Sequence, residues 1–151
     1  MNNLLNTDAR DALIARLQNF RPDSRRQWGK MTAPQILAHL ADPFRVTLGE
    51  KKARSVANVL TKSFVGKLLV RRLPWPKSAP TSPDFLPGTG MTEPKTFEED
   101  RQALLLLVHR FASLPENAVL EPHPVFGQLS MRDLGRLYWR HIDYHLRQFG
   151  V

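Results

Sequence analysis

Leu137-Tyr138-Trp139-Arg140-His141-Ile142-Asp143-Tyr144-His145-Leu146-Arg147-Gln148-Phe149 is the stretch from which the rest of this 151-residue chain is read. Upstream, Ser130 followed three residues later by Asp133 is a capping signal for a helix start. Leu134, Leu137 and Tyr138 then mark an apolar face at helical spacing, and the same spacing continues through His141, His145 and Gln148. Side chains four apart on a helix have Cβ atoms roughly 5–6 Å apart, so both rings can reach one point beside the helix. Buried imidazoles without partners leave polar nitrogens unsatisfied at a cost. A metal ion is the simplest partner they can share.

Three more amphipathic helices precede this one. Thr7 to Phe20 carries Leu13, Ile14, Leu17 and Phe20 on one face, and Pro22 ends it. Thr32 to about Leu48 opens on a Thr32/Gln35 capping box with Pro34 in its first turn. Ile36, Leu37, Leu40 and Phe44 form its apolar face with His39 among them; Pro43 should kink it, and Gly49 is a stop. Thr96 to Leu114 opens on Thr96/Glu99, with Glu98, Glu99 and Asp100 at the positive end of the helix dipole. Between the second and third of these bundle helices lies a long insertion. Ser55 to Val70 reads as an amphipathic helix, with Val56, Val59, Leu60, Phe64, Leu68 and Leu69 opposite Lys62 and Lys67. Leu73 to Pro83 is too proline-rich for helix or central strand, and Trp75 and Phe85 should draw it across the bundle. The expectation is a single all-α domain, residues 1–151, built as a four-helix bundle.

Composition bounds the chemistry. There is no cysteine, which excludes disulfides and thiolate metal ligands and suits a reducing compartment. Residues 1–8 lack the basic start and long apolar run of a signal peptide. Ala103 to Val108, the longest apolar run, is far short of the ~20 residues of a membrane span. A cytoplasmic protein without a transmembrane segment is expected. The net charge is +8, and residues 45–77 hold nine basic groups against Glu50, which accounts for all of it. Such a segment can attract nucleic acid or another anion, or simply keep the surface solvated.

His39, His141 and His145 are the candidate metal ligands. Packed helices lie about 8–10 Å apart, so a third imidazole can complete the site. Three histidines with an open position is a catalytic arrangement, and imidazole suits Zn²⁺, Ni²⁺, Fe²⁺ and Cu²⁺ alike. The arrangement is not that of a zincin, because Ile142 stands where the general-base glutamate would follow the first histidine, and Asp143 points away. Asp42, three residues after His39, reads equally as a pocket group (a fourth ligand or a partner of a ligand ring) and as surface charge. Gln148 either orients a ligand or closes the helix, and Tyr138 belongs to the core rather than to catalysis. His109 and His123 read as ordinary hydrogen-bonding residues. No serine or threonine is placed for a nucleophile triad, so no catalytic residue is assigned.

Several stretches together resemble the DinB-like superfamily: residues 28–32, Gln35 to Asp42, Lys77 to Pro83, His123 to Gly127 and His141 to Gly150. The resemblance spans nearly the whole chain, and the last motif is its most specific part. It falls on a branch with no assigned reaction. It implies an up-down-down-up bundle with the long crossing connection between the second and third bundle helices. It also implies a divalent metal, often Ni²⁺ or Zn²⁺, on His39, His141 and His145. Characterised members include thiol-dependent transferases.

The functional expectation is therefore a metal-dependent enzyme acting on a small molecule, a transferase that uses a low-molecular-weight thiol cosubstrate. A metal-dependent hydrolase on the same site is the alternative. A non-enzymatic module binding nucleic acid or an anionic surface through residues 45–77 ranks lower, since no DNA-binding motif or stacking platform accompanies the charge. A bundle of this size also suits a homodimer.

Overall fold

Each long helix starts on a side chain suited to cap it. The computed structural model describes residues 2–63, 66, 68, 75–77 and 81–151. In it, α1 (Thr7–Asn19) opens on Asn6, whose side chain accepts from the Ala9 N–H. Helix α2 (Ala33–Thr47) opens on the reciprocal Thr32–Gln35 box. A single turn, α3 (Val59–Lys62), is capped by Asn58 and Thr61. A 3-10 turn, Pro83–Phe85, precedes α4 (Phe97–Ala112), which opens on the Thr96–Glu99 box. The last helix, α5 (Met131–Gln148), opens on Ser130, which accepts from the Asp133 N–H. These side chains satisfy backbone donors that the first turn of a helix leaves without partners. Among the described residues there is no strand; His123 and Gly127 form an isolated bridge.

Helix α2 packs chiefly on α4 and α1 chiefly on α5, with α1–α4 and α2–α5 contacts completing an all-helical bundle. Phe44, Phe111 and Tyr138 meet where α2, α4 and α5 converge, with ring centroids 4.5 to 5.8 Å apart. Helix α2 runs on through Pro43, whose carbonyl accepts from the Tyr138 hydroxyl at 3.1 Å. Arg16 bridges α1 to Asp143 on α5 at 2.6 Å.

The structure differs from the sequence reading in three places. The fully buried stripe of α5 runs on from Leu134 and Tyr138 through Ile142 and Leu146 rather than through the histidines. His141 and His145, each one residue earlier and so about 100° round the helix, lie half-buried at its edge. Ser55 does not begin a helix: residues 52–58 are non-helical, the Val56 N–H bonds to the Pro124 carbonyl, and the turn begins only at Val59. Val59 and Leu60 are exposed there, and Phe64, Lys67 and Leu69 lie outside the described residues. Thirdly, the residues before Thr7, to which the sequence reading gave no element and no place in the core, join the bundle. Leu4 is fully buried and its N–H bonds to the Gly135 carbonyl, where any side chain would collide with Asn3.

Of the proline-rich stretch, Trp75 to Lys77 are described and lie on α5, where the Tyr144 hydroxyl donates to the Pro76 carbonyl at 3.1 Å. Phe85 is buried. Among the described residues no helix is long and apolar enough to cross a membrane.

Candidate metal centre

Two helices carry the centre. His39 is buried on α2, and His141 and His145 lie one turn apart on α5. Their three ring centroids form a triangle with sides of 4.9 Å. One ring nitrogen from each lies within 4.8 Å of the other two. The Nε2 atoms of His39 and His141 are 3.0 Å apart. Two imidazoles sharing a cation at 2.0–2.1 Å stand about 3 to 3.4 Å apart, so this pair is already at ligand spacing. The same distance suits an N–H···N bond, so the pair accommodates either state.

The outer ring nitrogens decide which way two of the lone pairs point. His39 donates from Nδ1 to the Phe85 carbonyl at 3.0 Å, which leaves its Nε2 free to coordinate. The Gln148 amide nitrogen donates to the Trp28 carbonyl at 2.6 Å, and a carbonyl can only accept. The Gln148 oxygen must therefore face His145, whose Nδ1–H donates to it at 2.7 Å. His145 Nε2 is left bearing a lone pair. Gly29 makes room for this: its φ is +80°, and a Cβ there would fall 2.1 Å from the Gln148 amide nitrogen.

Burial keeps these rings neutral. It pushes His39 below the ordinary histidine range, against the opposing pull of the Phe85 hydrogen bond and the Asp42 charge. It carries His145 down to about 3, with the positive form of His39 adding to the effect. His141 falls well below its ordinary value through burial first, then through His145, His39 and His123. Neutral imidazoles are the form a metal requires.

Aromatic rings border the half-buried side. Trp75 lies 5.8 Å from His141, Tyr144 lies 5.0 Å from His145, and Trp28 stands 6.0 Å from Tyr144. The Lys77 ammonium sits 5.0 Å over Trp28 and the Arg140 guanidinium 5.3 Å over Trp75.

The remaining sequence candidates are placed as follows. Asp42 is fully buried, and its carboxylate is taken by Arg45 at 3.0 Å, Lys51 at 2.6 Å and both the N–H and hydroxyl of Thr92. It is neither surface charge nor one of the three clustered ligands, and it reaches His39 through its charge. Tyr138 is a core residue whose hydroxyl bonds to Thr47 and the Pro43 carbonyl, and burial raises it above its ordinary value. His123 is capped by the Val125 and Phe126 N–H groups on Nδ1, and burial lowers it to about 4. His109 is exposed on α4. The carbonyls of Phe85 and Trp28 were not foreseen, since a backbone oxygen carries no sequence signature. The Trp28-Gly29 pair was the available signal for the second.

The chain belongs to the DUF1569 family. That family's model, described as "Protein of unknown function (DUF1569)", matches residues 1–150. No curated protein and no solved structure matches the chain. In this DUF1569 chain, then, the geometry of the three histidines carries the chemistry: they are close enough together to hold a metal ion.

Proposed function

We propose that the protein is a divalent-metal enzyme, binding Zn²⁺ or Ni²⁺ on His39, His141 and His145 and transferring a group with a low-molecular-weight thiol. The observation that carries this is the convergence of three ring nitrogens with two outer nitrogens held by Phe85 and Gln148. Three neutral ligands leave a bound dication its full charge, so it would act as a strong Lewis acid and favour an anionic fourth ligand such as a thiolate. The chain's own groups fit that role. Trp75, Tyr144 and Trp28 wall the half-buried side with apolar surface, and Lys77 and Arg140 place positive charge there for an anionic cosubstrate. Among the described residues no carboxylate joins the cluster, and Asp42 is occupied by four donors. A hydrolase gains from a general base at this point, whereas a thiolate nucleophile needs none. That favours transfer over hydrolysis.

We further propose a DinB-like up-down-down-up course for the bundle and a reducing, cytoplasmic setting for the protein. The nucleic-acid reading is weakened because Arg45 and Lys51 are bonded to Asp42, and Arg54 to Asp84. The test is turnover of zinc- or nickel-loaded protein with a panel of small thiols and electrophiles. Thiol-dependent turnover that disappears in His145→Ala is expected. Ester or amide hydrolysis without any thiol would replace the transferase reading by the hydrolase one.

A further inference from the structure

His39 and Asp42 are three residues apart on α2, and both are met by one segment of chain, residues 82–92. His39 donates to the carbonyl of Phe85, and Asp42 accepts from the N–H and hydroxyl of Thr92 at 2.9 and 2.6 Å. Lys51 ties the two ends together, donating at 2.6 Å both to Asp42 and to the Gly90 carbonyl. Between those points the segment is wound tight. The Leu86 carbonyl accepts from the N–H groups of Thr89, Gly90 and Met91, and the Thr89 hydroxyl donates to the Pro83 carbonyl at 2.6 Å. Gly90 presses on the Asp84 backbone so closely that a Cβ would lie 2.6 Å from the Asp84 Cα. Gripping Thr92 and Gly90 therefore fixes the place of the Phe85 carbonyl.

We infer that Asp42 is a positioning residue for His39: with Lys51 and Thr92 it clamps the turn that presents the Phe85 carbonyl to Nδ1, and so aims Nε2 at the other two imidazoles. The carboxylate suits the task because it is fully buried and charged, with four donors converging on it. Charge-assisted hydrogen bonds of this kind are about twice as strong as neutral ones. Removing the clamp frees the turn, and the His39 ring then loses the acceptor that selects its tautomer.

The consequence for metal affinity rests on the proposed function, but the tautomer itself does not. The experiment reads both. Ring-nitrogen NMR correlations of metal-free protein near pH 7.5 should show His39 as the Nδ1–H form in the wild type. In Asp42→Asn and in the near-isosteric Thr92→Val it should become a mixture with the Nε2–H form. Thr32→Ala, which weakens the start of the same helix, should leave the tautomer alone. Zinc affinity, by chelator competition, should fall about 10–100-fold in Asp42→Asn and by less in Thr92→Val. If Asp42→Asn does not fold, Thr92→Val decides the question. A pure Nδ1–H form in the folded variants would overturn the inference, as would a tautomer change with zinc affinity unmoved. A tautomer change in a protein that binds no zinc even as wild type would leave the clamp standing and remove the metal reading instead.

Discussion

Gln148 uses both ends of its amide, one on the Trp28 carbonyl and one on His145. Replacing it by leucine leaves two polar groups without partners, each at roughly 1–3 kcal/mol, and lets the His145 ring turn. Zinc affinity in Gln148→Leu should fall about 10–100-fold by competition titration. An unchanged affinity would show that the amide does not orient the ligand. Histidines whose rings are largely withdrawn from water also predict how stability follows pH. His123 and His145 lie at about 4 and about 3, below the ordinary 6.5, so between those limits the unfolded chain holds more protons than the folded one. Their contribution is complete above about 6.5 and is lost as the pH falls toward 4 and then 3. Denaturant midpoints of metal-free protein should therefore decline from pH 7 to pH 4.5, and a flat profile would contradict the burial of neutral rings.

At the scale of elements, Ile142→Ala should destabilise by about 2–5 kcal/mol in urea unfolding, because Ile142 is fully buried between the helices. Leu106→Ala, on the 69% exposed outer face of α4, should change stability by no more than about 0.5 kcal/mol. The burial of Ile142 was not legible in the helical spacing, which placed the histidines on that stripe, whereas the starts of α2, α4 and α5 were. Their capping chemistry is local and repeats at a fixed offset. The histidine set was legible for the same reason, since two of the three lie on one helix. The edge position of His141 and His145 was not, because spacing gives the face of a helix but not the angular width that its neighbours cover. Residues 55–58 were misread as the start of a helix because the apolar residues from Val56 onward keep a helical spacing, whereas the Val56 N–H is drawn to Pro124, far away in the chain. The Phe85 carbonyl was invisible on similar grounds: it is a backbone atom 46 residues from the ring it orients.

For the whole molecule, an ion bound only by the folded state adds stability by mass action. At a hundredfold excess over its dissociation constant that is about 2.7 kcal/mol, or a rise in Tm of very roughly 5–10 °C for a domain of this size. Calorimetry should show that rise with zinc in the wild type and none in His39→Ala; equal rises in both would place the ion elsewhere. The basic charge of residues 45–77 should matter less than its count suggests, since Arg45, Lys51 and Arg54 are bonded to buried or half-buried carboxylates. Retention on duplex DNA should accordingly be weak at 150 mM salt. The most direct measurement is anomalous diffraction at the zinc edge from crystals of untagged protein grown with one equivalent of Zn²⁺. One strong peak is expected about 2.0–2.1 Å from a ring nitrogen of each of His39, His141 and His145. A map with no peak between those rings, or with zinc only at other residues, would contradict the three-histidine centre.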